Sequence, residues 1–449
     1  MIVGVVFWFL LALVSVYADY PDPPQTFQAA DWTKWDDVSV KESKRAMVDI
    51  SFDGGDYIKL FRLDLVGDAK DRGFAQGALM AEEITEFMGP ALDNFFSEMV
   101  QEIDTSGMPD WLAKVLDKTD GRFAPAAVHK ALNWVWEKEA QYVPQRLIDE
   151  MDSIAEGICS VLGDKCDVEE NKKLVRATNM IPELIRMSCT AFGAWGKATG
   201  GGLVQLRALD FGPGPFANYT VVSTNRANTA GEGPSDPFVS VAFPGMVGVI
   251  TGVSKSGIGV SEKVWMTSGK KRDLQPGGYD GEPDVFVLRD ILENASTKED
   301  AEEYMRNAKR TWGMWVGTGD YKSQEFDLTG YRQEDAVTYN DNTMPSMTGQ
   351  PYIENLCYVD KHPQPSTDDT LPTVLNYFYG KISLDTTKTI IQTHTTGDVH
   401  AAAYDFSRDQ LSLTIGKIDA KGYYGANNEG MAYNRPWTLF KLSDLFSGN

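Results

Sequence analysis

The residue with the strongest claim to chemistry is Cys189, in Met187-Ser188-Cys189-Thr190-Ala191-Phe192. It falls where an amphipathic helical texture gives way to short strand-like runs. Beyond it come a strand, a glycine turn at Gly200-Gly201-Gly202, and a second strand that carries Arg207 and Asp210 in Leu206-Arg207-Ala208-Leu209-Asp210-Phe211. A lone cysteine is most often a small buried hydrophobe, and here its neighbours raise it to a candidate nucleophile. Arg207 and Asp210 stand three apart, so in a regular strand their side chains point to opposite faces. A shared site then requires a bend or strand end around Leu209. The competing reading of the two is a structural ion pair.

His394, His400 and Asp398 suggest a metal at first sight. Their spacing across a Thr-Thr-Gly turn matches no two-ligand helix or finger pattern, and the reading carries no metal and no cofactor. There is no phosphate-binding glycine loop, no His-Glu-x-x-His helix and no Gly-x-Ser-x-Gly elbow, which argues against nucleotide, zinc-protease and serine-hydrolase chemistry.

The 449 residues carry 64 acidic and 42 basic side chains, a net charge of −22. Such a chain is repelled by nucleic acid and by anionic membrane surfaces. An apolar run over 2–16, followed by Val16-Tyr17-Ala18, reads as a signal peptide over 1–18 and is too short for a stable membrane span. That predicts the secretory pathway, with the lysosome or the extracellular space as destination. Asn218 in Asn218-Tyr219-Thr220 and Asn294 in Asn294-Ala295-Ser296 then become glycosylation acceptors. The four cysteines are Cys159, Cys166, Cys189 and Cys357. With Cys189 as a working thiol at most one bridge forms, either Cys159 with Cys166 or Cys357 with one of them.

The elements that must position these residues follow from periodicity. Apolar residues recur at helical spacing over 71–103, with a bend at Gly89-Pro90, then over 126–141, and over 147–158 between Pro144 and Gly163. After Cys189 the runs 203–211, 219–223, 238–243, 247–253 and 258–264 read as strands. A hairpin turn is expected at 254–257, and another at 405–409 between strands 399–404 and 411–415. Helices return over 285–293 and 298–308, with Ser296 or Thr297 as cap. The expectation is an α+β fold whose first part, 19–188, is mainly helical and whose second part, 189–449, is layered.

Cys-Thr-Ala-Phe, a strand pair, then Arg207-x-x-Asp210 resembles the start of the catalytic chain in the cysteine N-terminal-nucleophile hydrolases. That superfamily includes acid ceramidase, N-acylethanolamine acid amidase, penicillin V acylase and isopenicillin N acyltransferase. Arg72-Gly73-Phe74-Ala75-Gln76-Gly77, Ile154-Ala155-Glu156-Gly157 and Asn179-Met180-Ile181-Pro182-Glu183-Leu184 are similar to motifs of its helical segment. Two stretches resemble its last strands and tail: Val399-His400-Ala401-Ala402-Ala403-Tyr404-Asp405 and Arg435-Pro436-Trp437-Thr438-Leu439-Phe440-Lys441-Leu442. The resemblance implies a four-layer αββα sandwich behind the helical segment and a precursor that cuts its own Ser188–Cys189 bond. It also implies that Arg207 faces the nucleophile, that Asp210 orients the α-amine, and that Asn340, with Asn342 close behind, donates to the oxyanion. Where some relatives have an asparagine this chain reads Ser261-Glu262-Lys263, so the second oxyanion donor is unassigned.

The chemistry of such a site is self-consistent. Once the Ser188–Cys189 bond is cut, Cys189 carries a thiol and a free α-amine whose reference pKa is about 8, so the amine serves as base without a histidine. The implied function is hydrolysis of linear amide bonds in N-acylated, lipid-like substrates through a Cys189 thioester. The self-cleaved alpha and beta fragments are each other's partners. An acyltransferase or phospholipase B-like deacylase of the same fold is the alternative within enzymes. A non-catalytic luminal lipid-binding protein is the alternative outside them.

Overall fold

A computed structural model describes residues 20–448 except 53–55, 101–102, 104, 120, 186–187, 213, 268–272, 275–276 and 420–422. The expected signal peptide over 1–18 lies outside the described residues. Among the described residues no helix is long and apolar enough to cross a membrane.

Two large sheets dominate. The seven-stranded sheet runs Thr26–Gln28, Trp437–Lys441, Gln410–Ile415, His400–Asp405, Val204–Asp210, Ser188–Ala194 and Leu356–Val359. The ten-stranded sheet runs Ala336–Tyr339, Glu325–Tyr331, Met314–Asp320, Ile258–Val264, Thr251–Ser254, Phe238–Ala242, Val221–Arg226, Asp56–Val66, Ser43–Phe52 and Thr33–Val40. The sheets meet face to face. Space for a Cβ at Gly193 is taken by the Phe326 ring, and at Gly259 and Gly319 by Gln205, whose Nε2 donates to Ser261 Oγ at 2.9 Å. Helix Asp284–Asn294 packs on the ten-stranded sheet and helix Leu384–His394 on the seven-stranded one.

The first part of the chain departs from the expectation of a mainly helical 19–188. Residues 26–66 supply one strand to the smaller sheet and three to the larger. The alternation Ala46, Val48, Ile50 and then Ile58, Leu60 buries one face of each strand, the period-2 pattern of a half-covered sheet. Helices occupy the rest of this part, from Ala69 to Leu184. The helix expected over 71–103 is broken into Ala69–Leu79, Ala81–Glu86, a π-helical turn Phe87–Ala91 and Leu92–Met99. Pro90 sits inside that turn, where its missing N–H cannot sustain the α-helical ladder. After helix Asp110–Lys118 come Ala124–Glu139 and Gln145–Leu162, the latter ended by Gly163 at φ +68°. Thr297, rather than Ser296, caps Lys298–Asn307 in a reciprocal box with Asp300.

The glycines of the Arg72–Gly77 motif have a packing role. A Cβ on Gly73 or Gly77 would run into the carbonyl oxygen of Glu150 or Ile154, and one on Gly157 into that of Phe74. Helices Ala69–Leu79 and Gln145–Leu162 therefore touch backbone to backbone. Arg72 itself donates to Glu150 at 2.8 Å, and Arg289 donates to the same carboxylate at 3.1 Å and to Glu293 at 2.8 Å. This buried network fastens the helical segment to helix Asp284–Asn294. Asn179 adds a second fastening: its Oδ1 accepts from the Val247 and Gly248 amides at 2.8 and 3.1 Å. Those amides are thereby taken from the strand expected at 247–253, which is confined to Thr251–Ser254.

Candidate active site

Strand Ser188–Ala194 pairs antiparallel with Val204–Asp210, placing Ser188 opposite Asp210, Cys189 opposite Leu209 and Ala191 opposite Arg207. Because side chains alternate along each strand, Cys189, Leu209 and Arg207 share the face turned to the other sheet, while Ser188, Thr190 and Asp210 share the outer face. No bend at Leu209 is present or needed: the strand is regular to Asp210. The sequence expectation that Arg207 and Asp210 converge through a bend is corrected to a division of labour between two faces.

On the inner face Arg207 Nη2 donates to the Cys189 Sγ at 3.1 Å. The guanidinium is fully buried and its other donors are used. Nε reaches the Glu262 carbonyl at 3.2 Å, Nη2 also reaches Glu262 Oε2 at 3.1 Å, and Nη1 lies 3.2 Å from His400 Nε2. Arginine only donates, so His400 Nε2 is the acceptor and its ring proton sits on Nδ1. Burial, reinforced by the neighbouring Arg207 charge, holds the His400 pKa well below the ordinary value and the ring neutral.

Cys189 is fully buried and not disulfide-bonded; it belongs to the apolar cluster built largely by the helical segment. Burial pushes its thiol up to about 12, against the pull of Arg207. The Cys189 thiol is thus sheathed and protonated in this structure. Beside it, burial raises the Glu262 carboxyl to about 7 despite Arg207, and lowers Lys263 to about 8 despite Asp360. Lys263 Nζ donates to the Val264 carbonyl at 2.8 Å and to Gln364 Oε1 at 3.1 Å. Glu262 and Lys263 are site residues to which the sequence reading gave no role. Two adjacent charges inside the fully buried strand Ile258–Val264 were the available signal, since charge is rarely buried without a partner or a task.

On the outer face Asp210 Oδ1 accepts from the Gly397 amide at 2.7 Å and Oδ2 from the Thr396 hydroxyl. Burial, and then the adjacent Asp398 carboxyl, raise its pKa well above the carboxylate range. Asp398 Oδ2 accepts from the Gly212 amide at 2.9 Å. Ser188 Oγ donates to the Lys361 carbonyl at 2.5 Å, so both sides of the Ser188–Cys189 bond are held.

Asn340 is not brought to Cys189. Its Oδ1 accepts from the Asn342 and Thr343 amides and the Thr343 hydroxyl, each at 3.1 Å, which closes the turn after Ala336–Tyr339. Together with Asn342 it lines a surface cleft beside Trp195, past the end of strand Ser188–Ala194 opposite to Cys189. A side chain committed to its own turn, as Asn side chains readily are, has no oxyanion to serve. The metal grouping weighed in the sequence also dissolves, since His400 lies on Arg207, Asp398 on Gly212, and His394 elsewhere, with Asp360, His362 and Asp368. Of the cysteines, Cys159 and Cys166 are bridged within the helical segment and Cys357 is buried and unbridged. Asn218 and Asn294 are both exposed.

No family model matches the chain. Protein dcd1A of Dictyostelium discoideum is 30% identical over 408 residues, spanning 86% of this chain and 85% of that protein. Protein dcd1B of the same organism is 28% identical over 414 residues, 88% of this chain and 76% of that protein. Among solved structures, the Caenorhabditis elegans ortholog of N-acylethanolamine-hydrolyzing acid amidase matches 48% of this chain and 92% of its own at 16% identity and a TM-score of 0.35. A variant of conjugated bile acid hydrolase from Clostridium perfringens matches 51% and 89% at 10% identity and a TM-score of 0.29.

Proposed function

This chain belongs to the dcd1 protein family, and for it we propose a cysteine N-terminal-nucleophile amidohydrolase, made as a precursor that cuts its own Ser188–Cys189 bond. The single observation that carries the reading is the Cys189 thiol at the start of a strand, 3.1 Å from the buried Arg207 guanidinium. A thiol so placed, on the residue that would become an N-terminus, has its base on its own backbone and its charge partner alongside.

In the precursor Sγ attacks the Ser188 carbonyl carbon, the peptide nitrogen leaves as the Cys189 amine, and a thioester joins Ser188 to Sγ. Water then hydrolyses the thioester, giving a Ser188 carboxylate and a Cys189 with free thiol and free α-amine. The new ammonium would add a cation beside Asp210, so cleavage favours the ionised carboxylate, which then orients the amine. In the mature enzyme Sγ attacks a substrate amide, the amine product leaves, and water releases the acid from the acyl-enzyme.

The lipid-like substrate class follows the resemblance of the Cys189 segment; the neighbouring apolar gap among Phe87, Ile181, Phe216, Phe243, Met246 and Ile250 measures only about 10 Å³. The Phe243 ring lies 5.9 Å from that of His400, which touches Arg207. The reading is also of a secretory or lysosomal protein glycosylated at Asn218 and Asn294. The Cys159–Cys166 bridge, which persists in oxidising compartments, supports it, as does the exposure of both asparagines. The proposal is tested by incubating the matured protein with N-acyl amides, the matching esters and phospholipids, with Cys189→Ala as control. Release of free fatty acid from the amides, lost in the variant, supports it. Turnover of phospholipid alone transfers the site to deacylation, and binding without turnover in both proteins makes it a lipid-binding module.

A further inference from the structure

Behind the outer face, Asp360, His362, Asp368 and His394 bring one donor atom each to within 4.8 Å of one another. The first three lie in the segment that follows strand Leu356–Val359. His394 is the last residue of helix Leu384–His394, so the cluster spans two elements.

His394 carries the inference. Its side chain is 1% exposed, and both ring nitrogens are buried without a hydrogen-bond partner among the described residues. Nδ1 faces Asp368 Oδ1 at 3.8 Å, too long for a hydrogen bond. Whichever nitrogen bears the ring proton, one buried donor and one buried acceptor go unsatisfied beside two carboxylates, an arrangement that is costly unless a ligand fills it. His362 shows the complementary feature: its Nδ1 lies 3.1 Å from Asp360 Oδ2, the carboxylate–imidazole pairing that orients histidines toward metals. Asp360 is itself fixed by Gln350 Nε2 at 3.0 Å and Ser366 Oγ at 2.6 Å.

We infer that His362, His394 and Asp368, with Asp360 orienting His362, form a site for a divalent transition metal ion of the zinc class. Two imidazoles with carboxylate suit zinc, cobalt or nickel, whereas calcium and magnesium take oxygen donors. Bonds of about 2.0–2.2 Å in a tetrahedron put donors about 3.3–3.6 Å apart, so a small inward movement closes the set. The ion would tie the 360–368 segment to the end of the helix. Lys361 already spans the same gap, its Nζ donating to the Thr395 carbonyl at 2.5 Å. The ligands are distinct from Cys189 and Arg207, although Lys361 between them also accepts from Ser188 through its carbonyl.

The test uses the full chain without a polyhistidine tag. The protein is stripped with chelator, exposed to Zn2+ in excess Ca2+ and Mg2+, exchanged into metal-free buffer and analysed by elemental mass spectrometry, with Co2+ loading followed by visible absorption. Wild type is expected to retain about one equivalent of zinc, to give the intense spectrum of four-coordinate cobalt and to melt at lower temperature after chelation. The doubly substituted His362→Gln, Asp368→Asn chain changes only partly exposed residues, and circular dichroism confirms its fold; its zinc affinity should fall at least about tenfold. A wild type that retains no zinc, or a folded double variant that binds as tightly as wild type, overturns the assignment.

Discussion

Arg207 reaches Cys189 across the strand pair, and its Nη2 divides between the thiol and Glu262 Oε2, at 3.1 Å each. The guanidinium therefore holds the thiol and neutralises a buried carboxylate with the same nitrogen. Arg207→Ala is expected to abolish processing and to cost about 3–5 kcal/mol of stability, because it strands Glu262 without a partner. Arg207→Lys keeps the charge but not the fork, so it should fold better than the alanine variant and process slowly. Urea unfolding alongside a processing time course checks both. Processing at the wild-type rate in Arg207→Ala would remove the residue from the site.

Glu262 gives the protein a pH signature of definite sign. Its ordinary pKa of 4.5 is raised to about 7 by burial. Below about 4.5 folded and unfolded chains are both protonated; between 4.5 and 7 only the unfolded chain ionises, so stability from this group is lost as pH rises through that window. Glu262→Gln resembles the protonated form and lacks the effect. The melting temperature of wild type minus that of the variant should therefore fall from pH 4.5 to 7 and level off above it. A flat or rising difference contradicts the assignment. The buried histidines titrate in the opposite sense, but they are common to both proteins and cancel.

Cleavage at Ser188–Cys189 would cut the chain without parting it. Strand Asp56–Val66, from the first fragment, pairs in parallel with Val221–Arg226 of the second, and Arg72, Glu150 and Arg289 bridge the same divide. The described disulfide lies wholly within the first fragment. Both fragments should co-elute on gel filtration with or without reductant and separate only in denaturant. Arg289→Ala should lower unfolding stability by about 3–5 kcal/mol by leaving Glu150 and Glu293 short of a cation.

Gly77→Ala tests the backbone contact between helices Ala69–Leu79 and Gln145–Leu162. The added methyl meets the Ile154 carbonyl oxygen, and separating the helices should cost about 1–3 kcal/mol or more. Gly89→Ala, whose Cβ meets nothing within 4 Å, is the control and should be nearly neutral. Equal melting temperatures for the two variants would contradict the packing account.

Most of the fold was legible where one period ran long enough. The helices from 124 to 162 and the strands flanking Cys189 were read within a few residues, because their buried faces repeat at 3.6 or 2. The strands of 33–66 were missed because polar residues occupy most of the edge strand Thr33–Val40, and the alternation of Ala46, Val48 and Ile50 was overshadowed by the helices that follow. In the site, Cys189 and Arg207 were readable because strand parity puts them on one face. Asn340 was misplaced because the role of an asparagine depends on whether its own turn claims the side chain, which spacing does not reveal. The 360–368 cluster was invisible because His394 comes from a distant helix, and only the fold brings it there.

The central claim is tested most directly by intact mass and N-terminal sequencing of purified protein after incubation at acidic and neutral pH, wild type beside Cys189→Ala. The account predicts a new N-terminus at Cys189 in wild type, with two fragments whose masses sum to the chain plus one water, and no such cut in the variant. An intact wild type in every condition, or the same cut in both proteins, would contradict it.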